Sequence, residues 1–229
     1  MFKAIKGTSD ILPDEAKVWQ YIEETARRVF NMFGYGQIRT PLFEETGLFA
    51  RSIGEATDIV QKQMYSFEDR AGRSMTLRPE GTAPVIRAFL ENRLDKEAGI
   101  CKLYYIGPMF RSERPQKGRR RQFHQLGVEA IGSESPYLDV EVISLLMNLL
   151  KEVLGEGADD SCLKINSVGC SEDRKVYSKI LEDALSDKVK LMCKDCQYRY
   201  DQNIFRILDC KHEDCQKIIS QLPVYHQHL

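Results

Sequence analysis

Residues 104–132 read YYIGPMFRSERPQKGRRRQFHQLGVEAIG. Two alternating, strand-like runs flank a loop that carries Arg111, Arg114, Lys117, Arg119, Arg120 and Arg121 against one acid, Glu113. Successive side chains on a strand point to opposite faces, so Leu103, Tyr105, Gly107, Met109 and Arg111 share one face. If the second run pairs with the first, Gln125, Gly127, Glu129 and Ile131 share a face, while Leu126, Val128 and Ala130 pack on the other. His124 falls on that packed side and reads as a structural histidine. The two glycines predict a hollow floor ringed by a guanidinium, an amide and a carboxylate, a layout suited to a small zwitterion beside a phosphate. Forked guanidinium groups match phosphate oxygens in pairs, and the Phe123 ring at the end of the arginine run offers a π face to a base. A charge run of this kind on its own reads as a solvated hairpin. The ordered alternation on both flanks favours a site.

The rest of the chain sorts around this pair. Apolar residues at Trp19, Ile22, Ala26, Val29, Phe30 and Phe33 follow the spacing of an amphipathic helix over residues 14–33, with Pro13 suited to its first turn. QIRTP reads as a strand ended by Pro41. MYSFEDRAGRSMTLRP reads as a hairpin turning at residues 69–72, and EGTAPVIRAFLEN as the helix after it. Helical spacing returns over residues 137–154, CLKINSVG reads as a strand, and Ser171 is the cap candidate of a helix over SEDRKVYSKILEDALS. From Asp187 onward the pattern is weak until QKIISQLP. Hairpins with helices between them predict an α+β fold with an antiparallel sheet flanked by helices.

At 229 residues, with 42% hydrophobic and 29% charged residues and a net charge of −1, the composition is that of a globular protein. Any nucleic-acid contact is therefore expected to be local, at the arginine-rich loop. The longest apolar run, VISLLMNLL over residues 142–150, is far shorter than the roughly 20 residues of a membrane span and reads as a buried helix. The first residues carry acids and lack an apolar signal core, so a cytoplasmic location with no membrane partner is expected. Seven cysteines, an odd number, argue against a disulfide framework.

Residues 110–129, FRSERPQKGRRRQFHQLGVE, resemble motif 2 of a class II aminoacyl-tRNA synthetase, in the form found in histidyl-tRNA synthetases. KGTSDILP over residues 6–13, YGQIRTPLFEETGLFARSIGEATDIV over 35–60 (similar to motif 1, with its interface proline at Pro41) and MTLRPEGTA over 75–83 agree with that family. The resemblance implies a histidine site made by Glu80, Gly81, Thr82, Gln125 and Glu129, since carboxylates, an amide and a hydroxyl suit an ammonium and an imidazole. It implies that Arg111 is the catalytic arginine at the α-phosphate of ATP, that Glu113 and Phe123 address the adenine, and that Arg121 lies near the phosphates. The partners implied are histidine, ATP with Mg2+, tRNA-His and a second copy of the chain. Catalysis would be alignment and charge stabilisation, because the histidine carboxylate itself attacks phosphorus.

Motif 3, a further RGLDYY-like arginine segment and an anticodon-binding domain have no counterpart here. Residues 1–170 are thus expected to form a catalytic core with motifs 1 and 2, and residues 171–229 the start of a helical, cysteine-bearing insertion, the whole an N-terminal portion of a synthetase. A regulatory, histidine-binding paralogue that controls the phosphoribosyltransferase of histidine biosynthesis is the second reading. It is disfavoured by the presence of Arg111, Glu113 and Phe123. A bare RNA-binding fragment is the third, disfavoured by Glu80, Thr82, Gln125 and Glu129. Cys193, Cys196, Cys210 and Cys215 have near-zinc spacing, but the second pair is wider than in a zinc knuckle; reduced buried thiols are expected and no metal ligand is assigned. His226 and His228 read as exposed and without function.

Overall fold

The computed structural model describes residues 2–53, 57, 59–96, 99–165 and 169–223. His226 and His228 lie outside them. The chain separates into two compact units, Met1–Ser161 and Cys162–Leu229.

The first unit opens with helix α1, Pro13–Met32, then strands β1, Gly36–Gln37, and β2, Phe43–Glu45, and helix α2, Thr46–Ile53. A π-helical turn over Ile59–Gln63 leads into the hairpin β3, Tyr65–Glu68, and β4, Ser74–Leu77, followed by helix α3, Thr82–Glu91. The long pair β5, Cys101–Phe110, and β6, Gln122–Ile131, and helix α4, Pro136–Leu154, complete it. The expected α+β class holds. So does the antiparallel sheet flanked by helices, and the described strands form two sheets in the orders β1–β5–β6 and β2–β4–β3. In the first, β1 joins β5 in parallel while β5 and β6 run antiparallel over their full length. QIRTP contributes only Gln37 to the strand, and after the Ile38 amide donates to the Tyr104 carbonyl the chain turns away toward Pro41.

The β5–β6 sheet is covered on both faces. Tyr104, Ile106, Val128 and Ala130 pack on Val29 and Phe30 of α1 and on Leu145 and Leu149 of α4. On the opposite face Leu103, Tyr105, Met109 and Phe123 pack on Val85 of α3. Helix α4 is amphipathic, not wholly buried as the apolar run suggests: Leu145 and Leu149 are inside, whereas Leu146 is 49% exposed. No helix among the described residues is long and apolar enough to cross a membrane.

The second unit is built from helices α5, Ser171–Leu185, α6, Lys194–Gln202, and α7, Glu213–Ile219, with short 3-10 turns between them. Residues 162–165 of the expected strand CLKINSVG are not in a strand. The cap of α5 is Cys170 in place of Ser171: its Sγ accepts from the Asp173 amide, and its own amide donates to the Asp173 carboxylate at 2.8 Å. Tyr177, Leu181, Leu185, Met192, Ile204, Ile207 and Leu222 form the core together with Cys196, Cys210 and Cys215.

Candidate functional site

The site is assembled on the α3 side of the β5–β6 sheet. The register pairs Leu103 with Glu129, Tyr105 with Gly127, Gly107 with Gln125 and Met109 with Phe123. Directly opposed residues of an antiparallel pair share a face, so Phe123, Gln125 and Glu129 stand in a row. At about 3.3 Å per residue the row runs roughly 20 Å from Phe123 to Glu129.

Arg111 lies on this face. Its guanidinium sits 5.2 Å from the centroid of the Phe123 ring, a cation–π contact. Its Nε donates to the Pro79 carbonyl at 2.9 Å, the residue before Glu80. The arginine is thereby held at its Nε and against the face of the Phe123 ring.

The segment at the start of α3 is fixed by its own amides. The Glu80 carboxylate accepts from the Thr82 amide at 2.6 Å and the Ala83 amide at 3.0 Å, and the Val85 amide donates to the Gly81 carbonyl. Pro84 has no amide to satisfy. Of the amides that a helix N-terminus leaves over, those of Thr82 and Ala83 are thus met by one carboxylate, which stands at the positive end of the helix dipole. The Thr82 hydroxyl donates to Glu129 at 2.7 Å, tying helix to strand. Both oxygens of Glu80 are engaged, yet each keeps a lone pair.

The hollow floor expected at the glycines is filled by the protein. A Cβ on Gly81 would meet the Tyr105 hydroxyl at 2.7 Å and its ring closer still; a Cβ on Gly127 would overlap the same ring. The ring of Tyr105 is therefore clasped between Gly81 and Gly127, and Gly81 serves packing. A Cβ on Gly107 would meet Arg78 Nη2 at 2.6 Å. Arg78 is 5% exposed, with Nε donating to the Pro108 carbonyl and Nη1 to Thr40. Burial lowers its pKa, although an arginine stays charged at any physiological pH. The sequence reading missed Tyr105 and Arg78. The alternation already placed Tyr105 beside Gly107 on the site face, and Arg78 stands directly before Pro79 and Glu80.

The remaining groups are acidic acceptors and one unsatisfied amide. Burial, and after it the Glu80 charge, hold the Glu129 carboxyl above its usual range, against the lowering effect of the Thr82 bond. Burial and then the charges of Glu129 and Glu80 push the Tyr105 phenol up to about 12, so it stays protonated as a donor. Gln125 Oε1 is buried with no hydrogen-bond partner in the protein. A buried acceptor without a donor costs about 1–3 kcal/mol. His124 lies on the other face with its ring 4.6 Å from that of Trp19. Burial lowers its pKa despite Glu23, in keeping with a structural role.

The arginine-rich loop is a hairpin arm. Its root is closed by the Arg111 amide on the Arg121 carbonyl at 2.9 Å and its tip by the Gln116–Arg119 bridge around Lys117 and Gly118. Arg111 and Arg121 are half-buried at the root, whereas Arg114, Lys117, Arg119 and Arg120 are exposed. Glu113 pairs with Arg119 at 3.5 Å across the arm. The N-terminal segment braces the root: the Gly7 carbonyl accepts from the Arg121 and Gln122 amides. Gly7 has φ +92°, and a Cβ there would meet Arg121 Cγ at 2.8 Å, so only glycine fits. Pro41 is exposed beside the exposed Leu42 and Phe43, and its carbonyl accepts from Arg78 Nη1 at 3.4 Å.

The family model for histidyl-tRNA synthetase matches residues 7–185, which include every one of these groups. The chain belongs to the histidyl-tRNA synthetase family. Histidine--tRNA ligase of Halothermothrix orenii is 56% identical over 96% of the chain and 52% of its own length, and that of Solibacter usitatus 56% identical over 97% and 53%. The chain thus spans about half the length of these histidyl-tRNA synthetase relatives. Among solved structures, apo histidyl-tRNA synthetase of S. aureus superposes with a TM-score of 0.69 at 38% identity, over 99% of this chain and 55% of that one. A Bacillus halodurans protein described as an ATP phosphoribosyltransferase regulatory subunit/histidyl-tRNA synthetase gives 0.63 at 26% identity.

Proposed function

We propose that this chain is the histidine- and ATP-binding portion of a histidine--tRNA ligase, with histidine at the Glu129 end of the row and the nucleotide at the Arg111 end. The observation that carries the reading is the unpartnered Gln125 Oε1 in the middle of a single elongated face. Acceptors crowd one end, Glu80, Thr82 and Glu129, as an α-ammonium and an imidazole N–H require. At the other, Arg111 and the Phe123 ring are stacked on each other, able to meet a phosphate and a base. The amino-acid carboxylate would then attack the α-phosphorus in line, forming a mixed anhydride and expelling pyrophosphate. Arg111, already fixed by Pro79 and Phe123, would neutralise the charge that builds on the phosphoryl oxygens without reorganising. No side chain acts as nucleophile.

Among the described residues of the arm no carboxylate cage for Mg2+ is formed. Glu113 is the only carboxylate of the arm and faces Arg119, so the ion would arrive on the phosphates of ATP, as is usual for magnesium. The exposed Arg114, Lys117, Arg119 and Arg120 suit the phosphates of the tRNA-His acceptor end, in an interaction that weakens with salt.

Thermal stability followed with histidine, ATP and a non-hydrolysable histidyl-adenylate analogue tests the reading. The analogue is expected to stabilise most. Arg111→Ala is expected to cost about 1.5–3 kcal/mol of its binding, roughly 10- to 100-fold, as for hydrogen bonds to charged groups, while leaving histidine binding in place. Stabilisation by histidine with ATP silent would favour the regulatory paralogue, and silence from every ligand would overturn both readings.

Motif 1 supplies the proposed homodimer contact. Pro41 is exposed beside Leu42 and Phe43, and the Phe43 ring meets Phe67 across the β2–β4–β3 sheet, both about half exposed. Phe43→Asp is expected to shift the chain to monomer in sedimentation at micromolar concentration while leaving its circular dichroism intact. An unchanged dimer would place the interface elsewhere.

A further inference from the structure

The four cysteines of the second unit come together. Cys193 caps α6, Cys196 follows in its first turn, Cys210 precedes α7, and Cys215 stands in the first turn of α7. Their Sγ atoms all lie within 4.8 Å of one another; Cys196, Cys210 and Cys215 are buried and Cys193 partly so. The expectation of separate buried thiols, with no metal ligand assigned, rested on the wide spacing of the second pair. The first turn of α7 removes that objection by folding Cys215 back toward Cys210.

We infer that these four thiolates hold one structural Zn2+ as a closed tetrahedral site. With Zn–S bonds of about 2.3 Å, a tetrahedron has S···S edges of about 3.8 Å. The Cys193 and Cys210 sulfurs are 3.8 Å apart. That is far beyond the roughly 2.05 Å of a disulfide. The donor set is all sulfur, which selects zinc or iron over the hard cations. Four thiolates fill every vertex, so the site is structural and leaves no open position for chemistry. The Cys193 amide donates to Cys215 Sγ at 3.2 Å, an orienting bond of the kind that surrounds metal ligands.

The unit also needs a staple. Below about 70–80 residues a single core rarely holds a fold alone, and the region from Cys162 to Leu229 is of that size. Its core has Tyr177, Leu181, Leu185, Met192, Ile204, Ile207 and Leu222 grouped around the sulfurs. Chain segments separated along the sequence converge on the four sulfurs.

The full chain, purified without chelator, is expected to carry about one zinc per chain by elemental analysis. Cys196→Ser and Cys210→Ser are expected to retain less than about a tenth of it, and Cys162→Ser, outside the cluster, all of it. In the wild type, phenanthroline should release the zinc, expose four further thiols to a thiol reagent and lower the midpoint of thermal unfolding. Co2+ should restore that midpoint and give the visible bands of tetrahedral cobalt thiolate. Zinc near zero, with thiol reactivity indifferent to chelator, would overturn the proposal whether or not the variants fold. Stoichiometric iron would overturn the identity of the metal. Neither result touches the histidine and ATP reading, whose residues all lie in the other unit.

Discussion

Gly127→Ala is expected to destabilise the first unit by about 1–3 kcal/mol, the usual cost of forcing atoms into a filled core. The Tyr105 ring occupies the space a methyl group at 127 would need. It cannot swing aside, because Gly81 at the start of α3 closes on its other side and the residue is only 8% exposed. Urea unfolding of the single variant, of Tyr105→Ala and of the pair tests the cause. In the Tyr105→Ala background the added methyl should be close to neutral, since residues in contact do not add. An equal penalty in both backgrounds would show that the ring is not the obstacle.

Glu129→Gln is expected to separate stability from binding. Burial and the nearby Glu80 raise the folded-state pKa of Glu129, so the fold disfavours its charged form. The sign follows: the stability it contributes is fully present below its unfolded pKa and is lost as pH rises through the raised folded value. An amide keeps the acceptor for Thr82 and has no charge to bury. The variant should therefore be more stable than wild type at neutral pH, with the difference closing as pH falls toward the carboxylate range. Histidine, deprived of a buried anionic partner, should lose about 2–5 kcal/mol of binding, roughly 30-fold or more. Denaturant unfolding at neutral and acidic pH, with calorimetric titration of histidine, reads both. Unchanged histidine affinity would remove Glu129 from the proposed site.

The β5–β6 pair was legible because strand alternation is a local, period-two signal: Gln125, Gly127 and Glu129 face the side that parity assigned, and Leu103, Tyr105 and Gly107 lie opposite them. What fills that face was not legible. Whether a glycine leaves room for a ligand or for Tyr105 and Arg78 depends on contacts between Gly81 and Gly127 or between Arg78 and Gly107, which periodicity does not encode. The histidine and ATP residues were named from motif resemblance; the geometry adds that Glu80 caps α3, that Gly81 packs on Tyr105, and that Gln125 is left wanting a donor. Helix α6 escaped notice, and α7 showed only through its end in QKIISQLP, because they are short, polar segments, KDCQYRYDQ and EDCQKII, too brief to display a helical stripe. The convergence of Cys193, Cys196, Cys210 and Cys215 is a property of how those helices turn.

The brace at Gly7 ties the arm to the segment ahead of α1, with Arg120 and Ser9 joined across 111 positions of sequence. During synthesis the opening residues must wait for the arm to leave the ribosome before either is anchored. Residues attached ahead of that segment therefore pull on the root of the arm at Arg121, and a stability measured on a tagged chain reports the tether as well as the fold.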